Sequence, residues 1–154
     1  MPVTPVARAQ GTGQAGGPHL GSNRRVPPVT CRPLVGLAAL TGRHGVGLLS
    51  NVDDDLFART RVSALVADGD VLTSQRLGVY KPALEIYRRA RDRAGGELVH
   101  VATSARDVRG AVEAGVSVIR LRRPGHRPDP GGPPPPTQVD DVAGVVDVLE
   151  ERRR

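Results

Sequence analysis

One short stretch of the chain constrains the fold more than any other. Residues 46–49 are apolar, the polar pair Ser50-Asn51 follows at once, and three aspartates then precede a second apolar pair. An apolar run of this length bounded by turn residues is typical of a strand covered on both faces. Acidic residues in the next turn favour a helix start, where unpaired amide groups attract negative charge. On this stretch alone, helix capping is the simpler explanation of Ser50-Asn51.

Helical and extended patterns alternate along the rest of the chain. Because parallel strands joined by helical crossovers satisfy such an alternation, we predict an α/β fold. It is a Rossmann-like parallel sheet of four to five short strands with flanking helices. The predicted strands are 46–49, 65–66, 98–102 and 116–121, and the predicted helices are 33–43, 53–61, 82–94, 106–114 and 142–151.

The chain divides into a leading segment and one folded core. Residues 1–32 are rich in glycine and proline and carry almost no large apolar side chain, so we predict that they are disordered. The predicted α/β core is 33–154, and it includes a proline- and glycine-rich loop at 122–137. Its interior must consist of Val, Leu, Ala and Ile, since aromatic residues make up only 2% of the chain.

Composition excludes several classes of protein. The single cysteine, Cys31, allows neither a disulfide within one chain nor a cysteine-based metal site. No apolar stretch is long enough to span a membrane, and the N-terminus does not resemble a secretory signal, so we expect a soluble cytoplasmic protein. The net charge of +6 comes from scattered arginines with few aromatics beside them, which argues against nucleic-acid binding.

Polar residues collect at the predicted strand ends and in the loops beside them. Ser50 and Asn51 follow one strand, Ser104 and Asp107 follow another, and Lys81 precedes Pro82 at a loop-to-helix junction. Lys81 is the only lysine among 22 basic residues. Hydroxyl and amide groups donate hydrogen bonds to an anion, and an ammonium neutralises it. In open α/β sheets ligands bind beyond the carboxyl ends of strands, so these residues predict an anion site.

Three motifs follow one another along the chain: Leu-Ser-Asn-Val-Asp-Asp-Asp-Leu-Phe at 49–57, Val-Tyr-Lys-Pro-Ala at 79–83, and His-Val-Ala-Thr-Ser-Ala-Arg-Asp-Val at 100–108. The tail adds Arg-Pro-Gly at 123–125 and Val-Asp-Asp-Val-Ala-Gly at 139–144. In this order they resemble the haloacid dehalogenase superfamily of hydrolases, most closely its type II haloacid dehalogenases, over about residues 33–150.

The resemblance implies hydrolysis of a carbon–halide or phosphate ester bond in a small anionic substrate, a 2-haloacid or a phosphate ester. It implies that Ser50 binds a substrate oxygen, that Asn51 assists, and that Ser104 belongs to the same substrate-binding set. Lys81 would pair with the nucleophilic aspartate and the substrate. Asp107 would orient Lys81 or, in metal-dependent members, help to hold magnesium. His100, one strand residue of the third motif, is expected to be packed rather than catalytic.

The sequence departs from the family at the nucleophile. The family's first motif is an Asp-x-Asp sequence at a strand end, followed by a cap domain, yet no acidic residue precedes Asp53. We accept neither 53–55 nor 68–70, which have the spacing, as a replacement because no apolar strand leads into them. Thr103 stands where metal-dependent members carry an acid, which disfavours magnesium, so we expect no cofactor.

The same departure leaves a structural gap. In the family the first strand lies between the strands predicted at 46–49 and 98–102, and residues 1–32 look unable to replace it. The two strands then pair directly, or a second copy supplies the strand in a homo-oligomer, or the fold is poorly stable. Two functions stay open: a truncated haloacid dehalogenase-like hydrolase without its nucleophile, and a non-catalytic α/β module that binds a small anion or a partner chain.

Overall fold

A computed structural model describes residues 4–7, 40–95, 97–135 and 137–154 of the chain. Six strands and five helices have bounds that lie within these residues. The strands are β1 (Thr4–Ala7), β2 (Gly47–Ser50), β3 (Val71–Thr73), β4 (Leu98–Ala102), β5 (Ser117–Leu121) and β6 (Gln138–Val139). The helices are α1 (Asp54–Ala58), α2 (Ser74–Leu77), α3 (Leu84–Ala94), α4 (Ala105–Glu113) and α5 (Val142–Glu151).

The strands form one parallel sheet in the order β3-β2-β1-β4-β5-β6. The chain order reverses at β1, since β2 pairs with one of its edges and β4 with the other. This reversal creates a crevice at the carboxyl ends of the central strands, which is where α/β sheets of this type bind ligands. The predicted parallel α/β sheet is therefore confirmed, although it has six strands rather than four to five.

The central place in the sheet is filled, which corrects a prediction from the sequence. We expected residues 1–32 to be disordered and the core to lack its first strand, but residues Thr4–Ala7 pair with both β2 and β4. A strand of four residues can fill this place because the strands on either side are also short. An empty place would leave unpaired amide and carbonyl groups in the centre of the sheet, which is costly. The remainder of the segment, residues 1–3 and 8–32, lies outside the described residues.

Both faces of the sheet are covered by apolar side chains. Neighbouring residues of a strand point to opposite faces. Leu49 accordingly packs in the cluster with Ile86 and Tyr87 of α3, whereas Leu48 packs with Phe57 of α1 on the other face. Helices α3 and α4 cover the first face, and α5 packs on the opposite face through Val145 and Leu149. The near-continuous apolar strands of the sequence follow from this double coverage.

Most of the predicted elements appear within one or two residues of their expected bounds. The strand at 98–102 and the helix at 142–151 match exactly the bounds of β4 and α5. The strand expected at 65–66 is wrong: Ser63–Leu65 is a 3₁₀ turn, and the third strand is Val71–Thr73. The helix predicted at 53–61 ends early, at Ala58. Of the helix predicted at 33–43, only Leu40 to Arg43 are described, and Leu40 and Thr41 are helical.

Helices α3 and α4 pack closely because Gly110 has no side chain. A Cβ atom at this position would lie 2.8 Å from the Pro82 carbonyl oxygen and 2.8 Å from Cε2 of Tyr87. The glycine thus lets the second turn of α4 approach the loop that carries Lys81. Within the described ranges, no helix has the length and apolar character needed to cross a bilayer.

Candidate active site

Three loops converge at the carboxyl edge of the sheet and enclose a cleft of about 230 Å³. One follows β2, one precedes α3, and one joins β4 to α4. The convergence is a consequence of strand order, since β2 and β4 flank the central strand and end at the same edge. The residues that line the cleft are Asn51, Lys81, Pro82, Ser104, Arg106 and Asp107.

Asn51 holds the backbone of the Lys81 loop. Its side-chain Nδ2 donates to the carbonyl oxygen of Lys81 at 2.9 Å, and the amide of Lys81 donates to Oδ1 of Asn51 at 2.7 Å. A carboxamide is the side chain that can donate and accept in this way, because it carries both an NH₂ and a carbonyl. The pair of hydrogen bonds fixes the position of Lys81 relative to the end of β2.

The ammonium of Lys81 is buried between the sheet and α4. Its Nζ donates to the Leu49 carbonyl oxygen at 3.0 Å and lies 3.1 Å from Oδ2 of Asp107. The two side chains are only 5% and 3% exposed, respectively. A buried ion pair must satisfy its remaining hydrogen-bonding groups to offset the cost of desolvation, and this one does so at both ends.

The second oxygen of Asp107 binds two further donors. Tyr87 donates its hydroxyl to Oδ1 at 2.8 Å, and Nε2 of His100 lies 3.0 Å from the same oxygen. Burial alone would raise the pKa of Asp107. The hydrogen bond and charge of His100, the charge of Lys81 and the Tyr87 hydrogen bond outweigh burial and hold that pKa well below its usual range. Asp107 is therefore a fixed anion at neutral pH.

Ser104 positions Asp107 at the start of α4. As the N-cap residue of the helix, Ser104 accepts a hydrogen bond from the amide of Asp107 through Oγ at 3.3 Å. The acid lies in the first turn, where the helix dipole favours negative charge. Local sequence thus places the carboxylate where Lys81 can reach it.

Four of the five predicted site residues line this one cleft: Asn51, Lys81, Ser104 and Asp107. Ser50, the fifth, is 2% exposed and is not among the lining residues. It does lie between Leu49 and Asn51, both of which bind Lys81. Neighbouring residues at a strand end direct their side chains to opposite sides, so only one of the polar pair reaches the cleft.

The structure adds two residues to the site that the sequence did not indicate, Arg106 and Tyr87, and it shows how His100 packs. Arg106 lines the cleft, is exposed and makes no ion pair within the described part of the chain. Tyr87 lies on the buried face of α3, and its hydroxyl binds Asp107, a contact that the helical spacing of apolar residues does not indicate. His100 is packed, as expected, with its ring 5.5 Å from that of Tyr87 in an edge-to-face arrangement. The sequence signal that could have indicated Arg106 is its position two residues after Ser104, the N-cap of α4.

None of the four acids that have the family's nucleophile spacing, Asp53, Asp55, Asp68 and Asp70, lines the cleft. Asp54 and Asp68 belong to a separate network around Arg76. Asp54 binds Thr73 Oγ1 at 2.6 Å and Arg76 Nε at 2.9 Å, and Asp68 binds the same guanidinium at 2.8 Å. The Thr73 and Arg76 hydrogen bonds lower the pKa of Asp54. This network ties α1 and the turn before β3 to α2, and none of its acids lines the cleft.

The described side chains of the cleft do not fit a magnesium ion. Mg²⁺ requires near-octahedral oxygen ligands, usually one or two carboxylates with water and substrate oxygens. Asp107 is the one carboxylate among the lining residues, and both of its oxygens bind protein donors. In the described ranges, no three His, Cys, Asp or Glu side chains are grouped so that they could hold a metal.

The strand order and the place of the cleft define a Rossmann-like α/β core. No protein-family model matches the chain, and no curated protein matches it in sequence. Solved structures do match it in fold. A 2-haloacid dehalogenase from Pseudomonas syringae pv. Tomato DC3000 has 23% identity and a TM-score of 0.64, and the match covers 82% of this chain and 54% of that one.

Two further structures show the same similarity. The L-2-haloacid dehalogenase from Xanthobacter autotrophicus has 18% identity and a TM-score of 0.66, covering 75% of this chain and 59% of that enzyme. A putative HAD-hydrolase from Bacillus subtilis, bound to magnesium, has 18% identity and a TM-score of 0.62, with 75% and 54% covered. The chain thus spans a little over half the length of these proteins, and at such identities the likeness establishes the fold alone.

Proposed function

We propose that this chain carries the anion-binding part of a haloacid dehalogenase-like hydrolase site. In this proposal the cleft binds a small carboxylate or phosphate ester. Asn51 and Ser104 supply polar contacts, and Arg106 supplies the charge that the ligand meets first. The buried pair of Lys81 and Asp107 forms the rigid base of the site.

The observation that carries the proposal is the charge balance of the cleft. Its lining holds two cations, Lys81 and Arg106, and one anion, Asp107. Because Asp107 neutralises Lys81 at 3.1 Å, the charge of Arg106 is uncompensated within the described residues. An arginine is suited to this role because its planar fork of donors matches the oxygens of a carboxylate or phosphate. The cleft therefore attracts one negative charge.

We further propose that this sequence does not hydrolyse the ligand it binds. In the family that the sequence resembles, an aspartate at the end of the first strand forms a covalent intermediate. Here the three residues after β1 are Arg-Ala-Gln, and the first acid of the chain is Asp53. Asp107 does not replace the nucleophile, because its two oxygens are held by Lys81, Tyr87 and His100.

Calorimetry on the full chain tests the binding proposal. Phosphate, acetate and 2-chloropropionate are titrated into the wild-type protein and into the Arg106→Gln and Arg123→Gln variants. Arg123 is an exposed arginine outside the cleft and serves as the matched control. We expect millimolar binding that Arg106→Gln weakens and Arg123→Gln leaves unchanged. No heat with any of the three anions contradicts the proposal.

A turnover assay tests the second part. Chloride release from 2-chloropropionate and phosphate release from p-nitrophenyl phosphate are measured on the same preparations. We expect rates equal to the blank. Turnover that is lost in the Lys81→Ala variant would show that this cleft is catalytic and would overturn the claim of inactivity.

A further inference from the structure

A second cavity lies on the other side of α4, at the far edge of the sheet. Its volume is about 310 Å³, and it shares no lining residue with the cleft that contains Lys81. The proline- and glycine-rich loop after β5 forms much of its wall, including Pro128 and Pro134, and Val108 of α4 contributes from the sheet side. The cavity is thus lined by apolar surface over a large part of its wall.

The cavity also contains a buried guanidinium. Arg120 of β5 is 3% exposed and lines the cavity. Its Nη1 donates to Oε1 of Gln138 at 2.7 Å, and its Nη2 donates to the carbonyl oxygen of His126 at 2.7 Å. Both acceptors are neutral, and Nε of Arg120 has no hydrogen-bond partner among the described residues.

A buried cation without a counterion is costly, and an unpaired N–H adds to that cost. The carboxylate that lines the same cavity, Asp129, does not solve this problem because it binds Arg109 Nη1 at 3.4 Å and the amide of Gly131 at 3.1 Å. Arg109 also pairs with Glu113 at 2.7 Å, so it is compensated, whereas Arg120 has no acidic partner among the described residues. The cavity therefore offers one uncompensated cation, Arg120, to a monoanion.

From these observations we propose that the cavity is a binding site for a small organic monocarboxylate with an apolar body. The carboxylate accepts from Nε and Nη2 of Arg120 together, since these two nitrogens form one edge of the guanidinium. In doing so it displaces the His126 carbonyl from Nη2 and shifts the loop. The apolar body lies against the prolines and Val108. This site is independent of the anion cleft and of the function proposed for it.

An NMR titration of the ¹⁵N-labelled full chain tests the proposal, with benzoate as the carboxylate and benzamide as its neutral equivalent. The variants are Arg120→Met, which removes the buried charge, and Arg123→Gln, an exposed arginine on the same loop, as the control. We expect benzoate to perturb the signals of His126 and Arg120, and to bind at least tenfold more weakly to Arg120→Met. Arg123→Gln should behave like the wild type, and benzamide should bind at least tenfold more weakly than benzoate.

Three results would overturn the proposal. Equal affinity for benzoate and benzamide would show that charge plays no part, and full affinity in Arg120→Met would show that Arg120 is not the anchor. Perturbations confined to Asn51 and Lys81 would assign the binding to the other cleft.

Discussion

Replacing Lys81 by methionine should be among the most destabilising single changes at the site. The substitution keeps an unbranched chain of similar length but removes the ammonium. The Leu49 carbonyl oxygen then loses the 3.0 Å bond from Nζ, and the buried Asp107 carboxylate loses its cation at 3.1 Å. Removing one partner of a buried ion pair typically costs about 3–5 kcal/mol. Because Asp107 keeps the hydrogen bonds of Tyr87 and His100, we expect the lower end, about 3 kcal/mol.

Urea unfolding followed by circular dichroism measures this cost as a lower midpoint at an unchanged slope. The control is Arg122→Met, since Arg122 pairs with Asp140 at 2.6 Å but with side chains that are 55% and 72% exposed. That variant should leave the midpoint almost unchanged because solvent screens exposed pairs. The cost of Lys81→Met should also shrink in an Asp107→Asn background, where no carboxylate is left unpaired. Equal costs in both backgrounds would refute the ion-pair reasoning.

Three further predictions follow from the same contacts. Gly110→Ala should lower the free energy of unfolding by about 1–3 kcal/mol, because the added Cβ would lie 2.8 Å from the Pro82 carbonyl oxygen. Gly69→Ala is the control, since there is open space around Gly69, and it should unfold at the wild-type urea midpoint. Since the pKa of Asp107 is lower in the folded than in the unfolded chain, stability should hold above about pH 4 and fall below it as the unfolded state binds the proton. Asp107→Asn should flatten that acid limb in urea titrations repeated at several pH values. Asn51→Ala should speed hydrogen exchange at the Lys81 amide by about tenfold, because the 2.7 Å hydrogen bond to Oδ1 of Asn51 is lost. An unchanged exchange rate would contradict the conclusion that Asn51 holds the Lys81 loop.

The sequence predicted the elements of the fold better than the way in which they pair. Strands such as Leu98–Ala102 and helices such as Val142–Glu151 are long enough for their apolar spacing to identify them. Residues Thr4–Ala7 gave no such signal, because four residues that include a proline resemble a loop when they are read alone. Their place in the sheet depends on partners more than 40 and 90 positions away, at Gly47 and Leu98. Pairing over such distances has no local signature.

The site shows the same division between local and distant information. Asn51, Lys81, Ser104 and Asp107 were found because each lies beside a strand end or a helix start, which composition marks locally. Their hydrogen bonds could not be read, because they depend on loops that meet only in the fold. Tyr87 is the clearest case: helical spacing predicts its burial, but whether its hydroxyl meets an acid depends on where the next helix packs.

The proposed function requires that the three loops around Lys81 form one site for a small anion. A phosphate titration of the ¹⁵N-labelled chain tests it most directly, since it reports each loop separately. We expect the amide signals of Asn51, Lys81 and Ser104 to shift together with one dissociation constant, and we expect Arg106→Gln to weaken all three shifts equally. Shifts that are absent, or that follow different constants at the three loops, would contradict it.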